Sequence, residues 1–418
     1  MATSKAYDII IFGATGFTGQ LVARYLSREA PKQGFSFAVA GRNKEKVLKR
    51  MKEVDVEPAE VFVADAQDEG KLREVVKKCK VVISLVGPYL AHGDPLVKVV
   101  AEEGIHYVDL TGESPFVYNS VQRYSRAALS SKAVIIHGCG YDSVPSDLCA
   151  FLAVQKLKQL DPAVEVGKVS AAFAGKGTLS GGTLQTALGL LERPQNEKKL
   201  TAEPYALSPV KGSDALSLNP IPFHTFNNRP TYGGFWVMGA FNGQIVRRSW
   251  GILESADPSS KVLSYGPNFS YSEFLKVPSR LVGLLLSLTL YIGFGALYFL
   301  PPLRYLAGRF GPQPGTGPSQ DMQENGWFKT ETVAKSVDGK KEVKATMKGK
   351  GDPGYAATAI MIAECALALV KDIDRLPPLA KHGGFLTPAT ALGEVLVERL
   401  EKTGRFSFEL EEGGRKDV

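Results

Sequence analysis

Residues 7–19, YDIIIFGATGFTG, decide the fold. The first six of these residues form an apolar, β-branched run, which is typical of a strand buried on both faces. Glycines follow directly at positions 13, 16 and 19, and the next segment, QLVARYLSRE, carries apolar residues at helical spacing. A strand, a glycine turn and a helix in this order are what a dinucleotide site requires.

The glycine turn suits a pyrophosphate for physical reasons. A tight turn needs a residue without Cβ, the anion needs close approach to the backbone, and the helix N-terminus offers free N–H groups. The spacing G-x-x-G-x-x-G departs from the commoner G-x-G-x-x-G, so the interpretation depends on the flanking strand and helix. The residues of the turn expected to bind the cofactor are Gly13, Thr15, Gly16, Phe17, Thr18 and Gly19.

The second predicted strand, residues 35–43, indicates which nucleotide is bound. It ends in Gly41-Arg42, where an NAD-specific site usually carries an acidic residue for the ribose 2′-hydroxyl. An arginine here suits a 2′-phosphate, which favours NADP over NAD. The alternative, that Arg42 is a solvated loop residue, stays open.

Strands and helices continue to alternate in short units. We expect a third strand ending at Asp65, a helix over 68–79, a strand leading into Gly87-Pro88, a helix over 94–103 and a strand HYVD. This alternation predicts an α/β fold with a doubly wound parallel sheet, and residues 1–150 are assigned to a Rossmann domain. Because ligands lie beyond the carboxyl ends of such strands, Asp65 is expected near the adenine, and Gly87 and Pro88 near the nicotinamide.

Seven motifs spread along the chain carry a family resemblance. They are GATGFTG (13–19), AGR (40–42), VGPY (86–89), YVDLTGE (107–113), GYDSVPSDL (140–148), GDPGY (351–355) and GGFLTPA (383–389). Together they resemble the saccharopine dehydrogenase-like oxidoreductases, most closely the eukaryotic branch, which is related to saccharopine reductases and to bacterial trans-acting enoyl reductases. The resemblance implies a Rossmann domain, an inserted mixed α/β substrate domain and a C-terminal segment that returns to the Rossmann part.

The downstream sequence agrees with that outline. Strand composition occurs at 164–174, at 234–250 and in a hairpin over 332–347 that turns at Asp338-Gly339. Helices are expected over 356–370 and 388–404, the second with start signals at Thr387 and Pro388 and a stop at Gly404. We assign residues 151–350 to the substrate domain and residues 351–418 to helices that pack on the Rossmann domain.

Bulk composition excludes several other functions. The net charge is +7 without a block of like charges, so no nucleic-acid partner is expected. The four cysteines stand singly, which indicates a reducing compartment and no structural zinc, and no metal motif is present; Cys139 is expected to be a buried thiol. A strand from about residue 7 leaves no room for a cleavable presequence, so the prediction is cytoplasmic.

Four residues are candidates for the chemistry. Asp142 and Ser143 lie in a glycine-rich loop at a strand end, where they could orient a carbonyl or imine against the nicotinamide. Tyr89 could donate a proton or pack against the nicotinamide ring. Lys176 precedes a predicted helix start at Thr183, which together would suit a carboxylate, phosphate or thioester carrier. Ser146 or Asp147 is expected to cap the helix that follows the glycine-rich loop.

Three functions remain open at this stage. True saccharopine reductases are expected to carry a Gly-Leu-Pro-Ala-Pro-type loop and basic residues, whereas this chain has SGGTLQT with a single nearby lysine. The favoured function is therefore an NAD(P)-dependent oxidoreductase acting on a C=N, C=O or C=C bond of an apolar, lipid-like substrate. The alternatives are a saccharopine dehydrogenase of lysine degradation and a catalytically silent nucleotide-binding scaffold.

The segment 281–303 carries no charged residue. Twenty helical residues at about 1.5 Å rise span roughly 30 Å, the thickness of a hydrocarbon core. A single crossing would separate the Rossmann strands from residues 332–418, so both flanks must share a compartment. We expect this segment to associate with a membrane or lipid-droplet surface from the cytoplasmic side, the mitochondrial surface included, and residues 311–320 to be a tether. A core helix or a homodimer interface is the alternative.

Overall fold

The computed structural model describes residues 5–177, 188–189, 191–214, 219–311 and 317–414. Within these residues, fourteen strands form two seven-stranded sheets, with helices on both faces of the first sheet and between the two sheets. This arrangement confirms the predicted fold class, an α/β protein with a Rossmann sheet and a second mixed sheet.

The first sheet is parallel throughout. Side by side, its strands are β13 (Gly384–Leu386), β6 (Val134–Ile136), β5 (His106–Asp109), β4 (Cys79–Ser84), β1 (Tyr7–Phe12), β2 (Phe37–Gly41) and β3 (Val61–Val63). Its helices are α1 (Phe17–Gln33), α2 (Lys44–Glu53), α3 (Glu69–Val76), α4 (Tyr89–His92), α5 (Asp94–Glu103) and α6 (Ser114–Ser131).

Strand β1 lies at the centre of this sheet because its side chains are apolar on both faces. Ile9 and Ile11 belong to the core cluster that includes Val22 of α1, and Ile10 belongs to the cluster on the opposite face with Leu72 of α3. All three isoleucines are fully buried. Burial on both faces is the condition under which a continuous apolar run forms a parallel strand.

The second sheet is mixed. Side by side, its strands are β14 (Phe406–Gly414), β12 (Lys341–Lys350), β11 (Trp327–Ser336), β7 (Val166–Lys176), β10 (Ser270–Val277), β9 (Arg229–Gly234) and β8 (Phe223–Phe226). Strands β7 and β10 pair in parallel and the other neighbours are antiparallel. The predicted hairpin is formed by β11 and β12, with Gly339 in the left-handed region at φ 69°.

The remaining helices connect and cover the sheets. They are α7 (Val144–Leu160), α8 (Gln195–Ala202), α9 (Gly239–Glu254), α10 (Pro258–Lys261), α11 (Arg280–Phe299), α12 (Pro301–Phe310), α13 (Gln320–Asn325), α14 (Thr358–Lys371), α15 (Pro378–His382), α16 (Pro388–Ala391) and α17 (Gly393–Lys402). A single π-helical turn, Pro353–Ala357, leads into α14. Helix α7 packs on β11 and β12, and α14 packs on α1.

The C-terminal residues serve both sheets. Helix α14 and strand β13 join the Rossmann part, whereas β14 is the edge strand of the second sheet beside β12. The predicted domain limit at residue 150 falls inside α7, whose side chains are buried against the second sheet. The two sheets therefore share helices across the predicted domain limits.

Two secondary-structure predictions were wrong. Residues 234–250 were expected to be strand, but Gly239–Glu254 is a helix, because its apolar residues Phe241, Ile245 and Leu253 recur at helical spacing and are buried. The expected single helix over 388–404 is broken between α16 and α17, where Gly393 adopts φ 50°. Thr387 caps its start, as predicted.

Candidate functional site

The glycine turn has the geometry that a pyrophosphate site needs. Gly13 adopts φ 87°, and a Cβ there would lie 2.7 Å from the carbonyl oxygen of Leu85. A Cβ on Gly19 would overlap the carbonyl oxygen of Gly13, so the helix can approach the turn closely only with glycine there. Gly16 is the N-cap of α1 and no side chain caps the first helical turn. The N–H groups of this turn are therefore available to an anion.

Arg42 and Asp65 lie at the carboxyl ends of adjacent strands. The carbonyl oxygen of Gly41, next to Arg42, accepts a hydrogen bond from Ala64 N–H at 3.1 Å, which holds the two strand ends together. Both side chains are exposed. Arg42 makes no hydrogen bond or ion pair with any other described residue, so it is free to meet a phosphate. These residues and the cradle of the glycine turn fit an NADP molecule, which supplies a hydride when it is bound in reduced form.

Gly87 and Pro88 follow β4 at the same sheet edge, and the Tyr89 side chain is engaged inside the protein. The Tyr89 hydroxyl donates to the Ser84 carbonyl oxygen at 3.0 Å and accepts from Leu110 N–H at 3.2 Å. Its ring is buried and lies 5.7 Å from the ring of Phe116. The hydroxyl hydrogen is thus used inside the protein, which argues against Tyr89 as proton donor; it ties the ends of β4 and β5 together.

The glycine-rich loop 137–143 is held by the buried carboxylate of Asp109 at the end of β5. Its oxygens accept from Gly138 N–H at 3.1 Å and lie 2.7 Å from His137 Nδ1. The Asp109 carbonyl oxygen also accepts from Cys139 N–H at 2.7 Å. The Cys139 thiol is fully buried, as expected. Such multiple backbone contacts fix the loop against the sheet edge.

The segment 352–358 joins this loop to the glycine turn. The ring of Tyr355 packs edge-on against Phe17 of the turn at 5.0 Å, and Thr358 Oγ1 accepts from Tyr141 N–H at 3.0 Å. A Cβ on Gly177 would lie 2.6 Å from Pro353, so the end of β7 also meets this segment. The glycine turn, the loop 137–143 and the end of β7 therefore all meet this segment, and we take the space that they border as the candidate cleft.

Asp142 and Ser143, the two predicted catalytic residues of the loop, both have polar atoms without a hydrogen-bond partner among the described residues. Asp142 is partly exposed, and desolvation raises the pKa of its carboxyl to about 6. Ser143 is fully buried, and its Oγ neither caps α7 nor meets another polar atom. Enclosed polar atoms without partners are rare. The Ser143 oxygen is enclosed by the protein, whereas the Asp142 carboxyl is partly exposed and can contact a ligand.

The expected capping role of Ser146 and Asp147 was wrong. Both lie inside the first turn of α7 and bond across it to other elements: Ser146 Oγ donates to Glu273 at 2.9 Å, and Asp147 accepts from Ala389 N–H at 2.8 Å. Ser143 is the N-cap residue instead. These contacts fasten the helix to β10 and to α16 at the point where the two sheets meet.

Glu273 on β10 is a site residue that the sequence did not reveal. Its carboxylate accepts hydrogen bonds from Ser146 Oγ at 2.9 Å, Tyr271 OH at 2.8 Å and Asn242 Nδ2 at 2.8 Å. Desolvation, only partly offset by these bonds, raises the pKa of Glu273 to about 7. Asn242 Oδ1 has no partner in the described part of the chain. The sequence around Glu273 does not indicate a buried carboxyl group with a raised pKa, because the residues that surround it come from distant segments of the chain.

Lys176 is the last residue of β7 and is exposed beside Gly177, at the border of the cleft. The predicted helix start at Thr183, with which it was paired, lies outside the described residues. Among the residues that the structure does describe, no group of histidine, cysteine and carboxylate side chains could hold a metal ion. The cleft therefore combines a nucleotide cradle with two carboxyl groups that titrate near neutrality, which can carry protons beside a hydride acceptor.

Comparison with known proteins agrees with this geometry. Residues 9–136 match the family model of the saccharopine dehydrogenase NADP-binding domain. The trans-acting enoyl reductase of Mycobacterium tuberculosis (strain ATCC 25618 / H37Rv) is 33% identical over 96% of this chain and 97% of its own length. That of Mycobacterium ulcerans is 32% identical with the same coverage.

The fold has a counterpart among solved structures. Apo saccharopine dehydrogenase (L-Glu forming) from Saccharomyces cerevisiae superposes with a TM-score of 0.50 over 97% of this chain and 99% of that one, at 13% identity. At this identity the match shows the fold alone. Sequence identity above 30% along nearly the whole length shows the family. The chain belongs to the saccharopine dehydrogenase-like family of NAD(P)-dependent oxidoreductases, together with the mycobacterial trans-acting enoyl reductases.

Proposed function

We propose that this protein is an NADP-dependent reductase of the C=C bond of an apolar, lipid-linked substrate, and that it works at a lipid surface on the cytoplasmic side. The name of the enoyl reductase relatives supports the reaction type. The observation that carries the substrate class is the surroundings of Tyr141 in the loop 137–143, which are aromatic and acidic.

The aromatic part of these surroundings comes from the second sheet. Phe173 of β7 lies 6.2 Å from the ring of Tyr141 and stacks on Trp236 at 5.6 Å, and Phe328 of β11 lies 4.8 Å from Tyr141. Phe173 and Phe328 are themselves fully buried, so they form the apolar packing behind Tyr141, and Trp236 is partly exposed. Apolar packing around the loop supports an apolar substrate, since burial of apolar surface stabilises binding.

The acidic part disfavours saccharopine. The carboxyl groups of Asp142, Glu273 and Asp352 all lie near enough to Tyr141 to raise its pKa by their negative charge. A substrate with several carboxylates of its own would be repelled there, since like charges close together in a desolvated site are destabilising. A neutral enoyl group pays no such cost.

The lipid surface is proposed from helix α11. Small residues form its inner face: Ser287 Oγ accepts from Phe235 N–H at 2.8 Å, and a Cβ on Gly283 would overlap the carbonyl oxygen of Gly233. Only 11% of the apolar window of this helix is buried. This low burial supports a surface helix over the core helix that was the alternative for residues 281–303.

The outer face of α11 is apolar. Leu285, Leu288 and Ile292, at spacings of three and four residues, are 57%, 45% and 71% exposed. Full burial of such a side chain contributes about 1.5–3 kcal/mol. Lipid contact by the exposed fractions of these three side chains should therefore stabilise membrane binding by roughly 3–5 kcal/mol. Helix α12 continues the surface with exposed Tyr305 and Phe310. Apolar residues exposed together in this way mark an interaction site.

The reaction is tested with purified protein, NADPH and trans-2-dodecenoyl N-acetylcysteamine thioester as the probe. We expect oxidation of NADPH, followed by its absorbance, with the saturated thioester as product by mass spectrometry. Saccharopine with NAD or NADP is the matched comparison and should give no turnover. Turnover of saccharopine without turnover of the thioester would contradict the proposal, and nucleotide binding without turnover of either substrate would favour the scaffold.

The surface is tested by flotation with phosphatidylcholine vesicles. Wild-type protein should float, and the variant Leu285→Glu/Leu288→Glu/Ile292→Glu should stay at the bottom of the gradient while still binding NADPH. The matched control changes three exposed apolar residues elsewhere, Leu160, Val262 and Val337, to glutamate and should float. Equal flotation of both variants would contradict the proposed lipid surface. It would also be contradicted if wild-type protein does not float but forms a homodimer that the α11 variant converts to monomers.

A further inference from the structure

We propose that Tyr141 is the proton donor of this site, with its hydroxyl giving the proton that completes reduction of the substrate double bond. The assignment rests on the proposed enoyl reduction. Tyr141 stands one residue before Asp142, in the loop that borders the same cleft as the glycine turn, and it takes the place of Tyr89 as the phenol of the reaction.

The first support is the position of the Tyr141 backbone. Its N–H donates to Thr358 Oγ1 at 3.0 Å, and Thr358 Oγ1 in turn donates to the carbonyl oxygen of Pro353 at 2.8 Å. Pro353 begins the π-helical turn whose Tyr355 packs on Phe17 at the glycine turn. The residue is thus tied through two hydrogen bonds to the segment that contacts the nucleotide cradle. A proton donor must be held in this way to meet a reacting atom.

The second support is the ring. It is fixed edge-on against Phe328 at 4.8 Å and against Phe173 at 6.2 Å, and the residue is 9% exposed. Fixed aromatic neighbours restrict the hydroxyl to one direction. A tyrosine buried for structural reasons is held in the same way, and Tyr141 differs from it in the surroundings of its hydroxyl oxygen.

The third support is the state of that oxygen. The hydroxyls of Tyr89, Tyr25 and Tyr271 are all used in hydrogen bonds within the protein. The hydroxyls of Tyr107 and Tyr265 have no partner but are fully enclosed. The Tyr141 hydroxyl makes no hydrogen bond with any described residue and is not among the enclosed atoms, so it borders open space. Its hydrogen is therefore available to a molecule in the cleft.

The electrostatic surroundings keep the phenol protonated. Burial first, and then the negative charges of Asp142, Glu273 and Asp352, raise the pKa of Tyr141 well above its usual value. The phenol is therefore a weaker acid than free tyrosine, and it gives its proton only to a strong base such as the carbanion that hydride addition leaves. The carboxyl groups of Asp142 and Glu273, with pKa values of about 6 and about 7, exchange protons with solvent in the physiological range.

Proton transfer from Tyr141 completes the reduction after hydride has been added to the double bond. Addition of hydride to one alkene carbon leaves an electron pair on the neighbouring carbon. The Tyr141 O–H bond breaks, and its proton forms a C–H bond with that pair. The phenolate left behind is disfavoured by the surrounding carboxylates and takes a proton from solvent, which restores the phenol. The net change is uptake of one hydride and one proton by the double bond.

The experiment compares Tyr141→Phe with Tyr265→Phe, which removes an enclosed hydroxyl from the core. With the dodecenoyl thioester, Tyr141→Phe should lower kcat by about a hundredfold or more, the usual contribution of a general acid, with unchanged KM and NADPH affinity. Tyr265→Phe should retain wild-type kcat. If wild type turns over and Tyr141→Phe is equally fast, Tyr141 is not the donor although the proposed function stands.

A second measurement does not depend on turnover. The near-ultraviolet absorbance of the protonated phenols is compared at neutral pH in wild type, Tyr141→Phe and Tyr265→Phe, each with and without saturating NADP⁺. The positive charge of the oxidised nicotinamide should perturb the absorption of one nearby phenol in wild type and in Tyr265→Phe, and this difference signal should be missing in Tyr141→Phe. A difference signal of the same size in Tyr141→Phe would overturn the assignment even if no thioester is reduced.

Discussion

Replacement of Arg42 by alanine should remove the preference for NADPH over NADH. Arg42 directly follows β2, and its backbone is fixed on both sides: Gly41 O accepts from Ala64 N–H at 3.1 Å, and Asn43 caps α2 by accepting from Lys46 N–H at 2.8 Å. The side chain is exposed and makes no hydrogen bond or ion pair with other described residues. No internal carboxylate therefore has to be released before the guanidinium meets a 2′-phosphate.

The expected magnitude follows from this exposure. A hydrogen bond to a charged group is worth about 1.5–3 kcal/mol, and the lower end applies because solvent screens an exposed pair. About 1.5 kcal/mol corresponds to roughly a tenfold weaker Kd for NADPH, while the Kd for NADH should not change. The NADPH preference of wild type should also shrink as salt is added.

The assay is titration of nucleotide fluorescence for both cofactors at two salt concentrations. Lys44→Ala is the matched control, since Lys44 is also exposed and lies two residues further along. It should leave both affinities unchanged. Equal affinity of wild type for the two nucleotides, or equal weakening of both by Arg42→Ala, would refute the reasoning, because the 2′-phosphate would then not be read by this side chain.

Two further predictions concern the nucleotide turn and a buried carboxyl. Gly19→Ala should weaken NADPH binding by at least about tenfold and lower stability by about 1–3 kcal/mol, since its Cβ would overlap Gly13 O. Nucleotide titration and urea unfolding measure the two effects. The control Gly70→Ala on α3, where a Cβ has room, should change neither quantity. Burial raises the pKa of Asp147 to about 6, so its contribution to stability is full below the unfolded pKa of about 3.9 and is lost as pH rises through about 6. Asp147→Asn should reduce the fall of the unfolding free energy between these pH values, with Asp142 and Glu273 still contributing to it. An unchanged pH profile would contradict the assigned pKa.

The cofactor half of the fold could be predicted from local sequence because its signals are local. A buried strand, a glycine turn and a helix follow one another between Tyr7 and Gln33, and each has its own physical signature. The nucleotide site is built from the ends of such units. The residues predicted for it lie where the strand order places them, from Gly13 to Pro88, at one edge of the parallel sheet.

The reacting end of the cleft could be predicted only in part, since its residues come from distant segments. The loop 137–143 was recognised, but Tyr141 was not singled out, because its role depends on Thr358 and Phe328, which lie about two hundred residues away in sequence. Nothing in the sequence around Glu273 indicated that it belongs to the site. The phenol of Tyr89 was visible in sequence, yet its contacts with Ser84 and Leu110 show that it serves the sheet.

Helices α11 and α14 show why apolar length alone does not decide burial. Both are long and apolar enough to cross a membrane, but 78% of the window that contains α14 is buried, against 11% for α11. Helix α14 has partners on several sides because α1, β1 and β4 surround it. Helix α11 meets the body mainly through β9, where Gly283 and Ser287 allow close contact. Tyr291 and Phe294 pack on Phe235 beside this contact, whereas Leu285, Leu288 and Ile292 are exposed. What distinguishes a core helix from a surface helix is thus the number of apolar faces that the rest of the chain can cover, and this number is fixed by tertiary packing.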